Sequence, residues 1–133
     1  MKSSAFQEEV EPLVAELYAS ANAHDTDRHL AIYARDPALL FVINGEIIQG
    51  WDAYRERQRQ WWDDGRVTGT YKNIGEPIYE ALSENSGITT LLMDTRKHLP
   101  DGQVRERQVV VTALWGKRPE GWRITYAHES STR

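Results

Sequence analysis

The chain reads as an α+β domain with three N-terminal helices packed on one face of a strongly curved antiparallel sheet. Three observations predict it. Apolar residues recur at helical spacing near the N-terminus. Turn signals then divide the remainder into short runs of β-forming residues. The resulting order, α-α-β-β-α followed only by β, segregates helices from sheet.

Phe6, Val10, Leu13, Val14, Leu17, Tyr18 and Ala21 fall on one helical face. Glu8, Glu9 and Glu11 suit the positive end of the helix dipole. Pro12 is tolerated in a first turn, so the regular helix is expected to start near it. Asn22-Ala23-His24 closes this helix. Asp25 or Thr26 then caps a shorter helix through Leu30 and Tyr33, and Asp36-Pro37 stops it. Leu39 to Ile43 is a strand, Asn44-Gly45 a two-residue hairpin turn, and Glu46 to Gln49 the return strand. A third helix runs from Trp51 to about Asp64, with Tyr54, Gln58, Trp61 and Trp62 on one side, and Gly65 ends it. Val67 to Tyr71 and Ile78 to Leu82 flank Gly75 and Pro77, the pattern of a bent or bulged strand. Three strands close the chain: Gly87 to His98, Gln103 to Lys117 and Gly121 to Ser130.

Asp101-Gly102, read as a two-residue turn, makes each pair of facing residue numbers in the flanking strands sum to 203. Lys97 then faces Glu106, an opposite-charge pair, and Arg96 faces Arg107. Asp94 sits beside Val109 on the face that carries Leu92, Val111 and Trp115. In the last strand Trp122, Ile124, Tyr126, His128 and Ser130 share a face, and this set is expected to turn inward. Asp94 and His128 then flank one central strand, with backbones roughly 10 Å apart. Both faces of these strands carry apolar residues, so both need a cover. The helices supply one. A second copy of the sheet is expected to supply the other, making a homodimer.

Length and charge narrow the function classes. The chain has 133 residues, the length of a single domain spanning residues 1–133, and a net charge of −4 with no basic block. That is a poor match to nucleic acid or an anionic membrane surface. There is no cysteine, which excludes thiol chemistry and cysteine-held metal centres. The four histidines show no metal-ligand spacing, and no nucleophile elbow, phosphate loop or dinucleotide fingerprint appears. Neither a metal nor a cofactor is expected. No apolar run approaches the ~20 residues of a membrane span, and the N-terminus is not that of a signal peptide. A cytoplasmic location is the expectation. Five Trp and six Tyr against two Phe favour side chains that suit wet pockets.

The segment Val109-Val110-Val111-Thr112-Ala113-Leu114-Trp115, followed by Gly121-Trp122-Arg123-Ile124-Thr125-Tyr126-Ala127-His128-Glu129-Ser130, resembles the closing hairpin of the nuclear transport factor 2-like superfamily. Asn44 to Gly50 before an aromatic helix resembles its hairpin into the third helix. The likeness is nearest to SnoaL-like members and to the association domain of calcium/calmodulin-dependent protein kinase II. It implies a cystatin-like cone: a bent sheet around helices, with a pocket at the wide end. One such fold hosts isomerases, dehydratases, cyclases and plain binding proteins, so it names no reaction. By position, Tyr54 stands where the kinase association domain has a pocket His, while Asp94 and Ala113 stand where it has pocket Arg residues. These departures argue against the same ligand. Trp62 and His128 match that family.

The expected pocket is lined by Tyr33, Phe41, Tyr54, Trp62, Asp94, Arg96, Arg107, Trp115 and His128. Asp94 interrupts an apolar strand, and a carboxyl in a dry pocket titrates closer to neutrality. The expected chemistry has Asp94 moving a proton and Tyr54 or His128 polarising an oxygen. Arg96 and Arg107, facing each other, need an anion between them, either Asp94 or a bound carboxylate. The ligand is then a mostly apolar small molecule, carboxylated or ketonic. The alternative reading is a non-catalytic ligand-binding or oligomerisation module, and simple ion pairing of Asp94 with Arg96 or Arg107 belongs to it.

Overall fold

The computed structural model describes residues 4–132. Helix α1 spans Ala5–Asn22, α2 Thr26–Leu30 and α3 Trp51–Trp61. The strands are β1 Leu40–Ile43, β2 Glu46–Gln49, β3 Thr68–Asn73, β4 Ile78–Ser83, β5 Ser86–His98, β6 Val104–Arg118 and β7 Gly121–Ser131. Helix α1 begins well before Pro12. The Ser4 hydroxyl caps it by accepting from the Gln7 amide at 3.1 Å. Pro12 lies inside the helix on its exposed side, where water can satisfy the carbonyl it leaves unpaired. Asp25 caps α2 as expected, accepting from the Arg28 amide at 3.1 Å. Asn44 and Gly45 both take positive φ, 45° and 86°, as a two-residue hairpin turn requires.

The sheet has seven strands in the order β2-β1-β7-β6-β5-β3, with β4 also on β5, and it does not close. It is mixed rather than purely antiparallel, because β1 runs parallel to β7 and pairs Phe41 with Ala127. Strands β3 and β4 share one edge of β5, separated by the bend at Gly75 and Pro77. Helix α1 lies across β3 and β4. Gly87 admits the Phe6 ring onto the backbone of β5, where an added Cβ would meet it at 2.6 Å. The core runs from Val10, Val14 and Leu30 on the helices to Leu91, Val109, Trp115 and Ile124 on the sheet. Among the described residues no helix is long and apolar enough to cross a membrane.

Two one-residue features change which side chains turn inward. The β5–β6 turn holds three residues, not two. The Gly102 amide donates to the Leu99 carbonyl at 3.0 Å, and the Leu99 amide to the Gln103 carbonyl at 2.8 Å. Pro100 supplies the preset φ for the turn, and Gly102 takes the left-handed position at φ 87°. Facing numbers therefore sum to 202: Asp94 pairs with Gln108, Arg96 with Glu106, Lys97 with Arg105 and Thr95 with Arg107. The second feature is a bulge in β7. Leu114 pairs with Tyr126 and Trp115 with Ile124, leaving Thr125 as the extra residue. The Thr125 hydroxyl donates to the Leu114 carbonyl at 3.2 Å. Inward positions run Trp122 and Ile124 up to the bulge, then Ala127, Glu129 and Ser131 beyond it.

Candidate functional site

The helices and the inward sheet face enclose a cavity of about 370 Å³. One wall is aromatic. Tyr33 and Tyr54 meet edge to face at 4.8 Å, and Trp62 Nε1 donates to the Tyr71 hydroxyl at 2.8 Å. The Tyr54 hydroxyl donates to Gln58 Oε1 at 3.1 Å, one helical turn along α3. These rings come from the loop after α2, from α3 and the residue that follows it, and from β3, so the aromatic surplus of the composition is gathered into one place.

Glu129 projects into this cavity from β7. Among the described residues its carboxyl has neither an ion-pair partner nor a hydrogen bond, and burial pushes its pKa up to about 7. The phenols around it move the other way from neutrality. Burial raises Tyr33, Tyr54 and Tyr71, with the Glu129 charge adding to each, so all three stay protonated hydrogen-bond donors at pH 7. His29 also lines the cavity. The Ser20 hydroxyl donates to the Leu17 carbonyl at 3.1 Å, so its oxygen accepts from His29 Nδ1 at 2.9 Å. Nε2 is then the lone-pair nitrogen. Burial depresses His29 to about 4, which keeps it neutral but makes it a weak base. Glu129 is thus a cavity carboxyl whose pKa is matched to proton transfer at neutral pH.

The cavity takes in some of the residues expected from the sequence and leaves others out. Tyr33, Tyr54, Trp62 and Arg107 line the cavity. Asp94 does not: it is exposed on the outer face, because the three-residue turn moves β5 by one position against β6. His128 is also exposed on the outer face, because the Thr125 bulge reverses the alternation of β7. Asp94 and His128 therefore do not flank a common pocket. Arg96 reaches the cavity rim but turns its guanidinium outward to Glu106 at 3.7 Å, and it does not face Arg107. Phe41 and Trp115 are core residues behind the wall. Phe41 stacks on Tyr54 at 4.1 Å, and Trp115 Nε1 donates to the buried Thr89 hydroxyl at 2.9 Å. Sequence reasoning missed Glu129, His29 and Lys97. The signal for Lys97 was Pro100, whose fixed φ suits the first central position of a longer turn. A bulge such as that at Thr125 has no comparable sequence mark. Among the described residues no three His, Asp or Glu side chains converge at metal-binding range.

The fold is the cystatin-like fold of nuclear transport factor 2-like proteins. The chain belongs to the SnoaL-like domain family, whose model matches residues 10–133. Solved structures agree on the fold. A nuclear transport factor 2-like superfamily protein from Salmonella enterica serovar Typhimurium is 19% identical, with a TM-score of 0.85 over 99% of this chain and 94% of that one. An uncharacterized protein with a cystatin-like fold from Caulobacter vibrioides is 14% identical, with a TM-score of 0.81 over 98% and 92%. A ketosteroid isomerase-like protein from Erwinia carotovora is 15% identical, with a TM-score of 0.81 over 98% and 99%. No curated protein matches.

Proposed function

We propose that the chain is an acid/base enzyme that moves a proton at a carbon next to a carbonyl, as isomerases and dehydratases do. One observation carries the reading: Glu129 is an uncompensated carboxyl inside an aromatic cavity, held near pKa 7 beside phenols that remain protonated. The ionised carboxylate takes the proton. The Tyr33 hydroxyl donates to the carbonyl oxygen as it gains charge, while the Tyr54 hydroxyl donates to Gln58, and the carboxylic acid returns the proton to a second carbon. Two kinds of titratable group are driven apart by their surroundings, which is the usual basis for assigning such roles. The likeness to a ketosteroid isomerase-like protein is compatible with this chemistry.

Deuterium exchange into cyclohexanone and 2-tetralone tests it without knowledge of the natural substrate. The wild type is expected to accelerate exchange of the α-hydrogens, with a rate that rises through about pH 7 as Glu129 ionises. Glu129→Gln should lower that rate at least about a hundredfold. No acceleration by the wild type, or equal rates for the two proteins, defeats the proposal.

The outer sheet face leaves Leu92, Val110, Val104, Ile78 and Leu82 exposed. A second copy of the chain is the cover proposed for it. Sedimentation should show a dimer, and Val110→Glu should shift it toward monomer. A monomeric wild type at high micromolar concentration removes this part of the reading.

A further inference from the structure

The cavity holds a second charged feature that proton transfer at Glu129 does not use. Lys97 and Arg105 are register partners, so they face each other across one rung on the inward side. Arg107 occupies the next inward rung, opposite Thr95. All three line the cavity. Like charges directly opposite are destabilising unless something negative lies between them. Among the described residues none of the three makes an ion pair. The other charged groups of the lining do not compensate them. Glu46 is held by Arg57, and Arg96 is paired with Glu106. Glu129 stands opposite Val111, four residues along β6 from Arg107, or roughly 13 Å of strand.

The donors themselves are short of partners. Arg107 Nε is buried with no hydrogen bond. Lys97 Nζ finds only the Trp61 carbonyl at 3.4 Å. Burial depresses the Lys97 pKa, and the charges of Arg105 and Arg107 add to the effect. Buried donors left open in this way are commonly completed by a ligand or water.

We infer that the ligand of this cavity is a carboxylate, its anionic group held at the mouth by Lys97, Arg105 and Arg107 and its apolar body extending inward. That the inner end meets Glu129 rests on the proposed function; the anion site does not. Two guanidinium groups with planar, forked donors suit the two oxygens of a carboxylate. The inner aromatic wall of Tyr33, Tyr54 and Trp62 suits an apolar body.

Calorimetric titration with 2-naphthylacetate and its neutral isostere 2-naphthylacetamide, at low ionic strength, tests the inference. The acid should bind at least tenfold more tightly than the amide. Arg107→Met should weaken the acid at least tenfold and leave the amide within twofold. Because that variant removes an unpaired charge and an open donor, its unliganded melting temperature should equal or exceed the wild type. If it fails to fold, Arg105→Gln at the exposed rim carries the same expectation. Equal affinities for acid and amide, no binding of the acid at millimolar concentration, or a parallel loss for both probes overturns the inference. Preferred binding of the acid without deuterium exchange would sink the proton-transfer reading alone. Exchange into neutral 2-tetralone without preference for the acid would sink the anion site alone.

Discussion

Replacing Glu129 with glutamine is expected to stabilise the folded protein at pH 8, by about 3 kcal/mol at the ordinary rate of about 1.4 kcal/mol per pKa unit. The folded pKa, about 7, lies above the carboxyl's usual 4.5. The folded state therefore holds the proton more tightly than the unfolded chain. Stability is undiminished below the unfolded value and falls as pH rises from about 4.5 through about 7. His29 works with the opposite sign. Its pKa is depressed from 6.5 to about 4, so its contribution is full above 6.5 and is lost as pH falls toward 4. Between about pH 4.5 and 6.5 the Glu129 trend opposes that of His29, to which the depressed His24 adds, so wild-type stability should change less steeply with pH than that of a variant lacking the carboxyl. Each single variant should expose the other group. Glu129→Gln should gain stability with rising pH across that window more steeply than the wild type, and His29→Gln should fall below the wild-type slope. Urea denaturation at half-unit pH intervals reads these slopes, and a constant packing cost at either position does not alter them. Parallel curves for Glu129→Gln and wild type from pH 4.5 to 8 would mean that the carboxyl is not enclosed as described.

Trp115→Ala should cost about 3–5 kcal/mol, the range for truncating a large buried aromatic side chain. Trp115 is fully enclosed and Thr89, its hydrogen-bond partner, is too. The alanine variant removes the ring and leaves the Thr89 hydroxyl without its donor. Trp115→Phe keeps most of the volume and loses only the bond, so its cost should be about 1–3 kcal/mol. Urea midpoints at constant slope measure both. The phenylalanine variant also checks the placement of Trp115 behind the wall. Its affinity for 2-naphthylacetate should match the wild type, and a tenfold loss would put the indole in the cavity.

The position of Trp115 shows how far the sequence could be read. Its burial followed from apolar alternation, since Val109, Val111, Ala113 and Trp115 share a face whatever the strand pairs with. The helices followed from their apolar spacing and from caps such as Asp25, and the first hairpin from Asn44-Gly45. The aromatic wall was legible because Tyr33, Tyr54 and Trp62 lie on or beside elements whose faces were clear. The acidic group was misassigned because it depends on parity between strands. A shift of one residue exchanges every inward side chain for an outward one. That exchange happened twice: at Pro100-Asp101-Gly102, which took Asp94 out and brought Lys97 in, and at Thr125, which took His128 out and brought Glu129 in.

Local chemistry by itself therefore determined the fold class, the element order and the aromatic character of the pocket. Periodicity, capping and turn preference act over a few residues, and they are written in neighbouring letters. Which carboxyl and which cations face inward was decided only by the assembled sheet. Turn length and bulge position are settled by cross-strand hydrogen bonds between residues far apart in the chain, such as Leu114 with Tyr126 and Asp94 with Gln108.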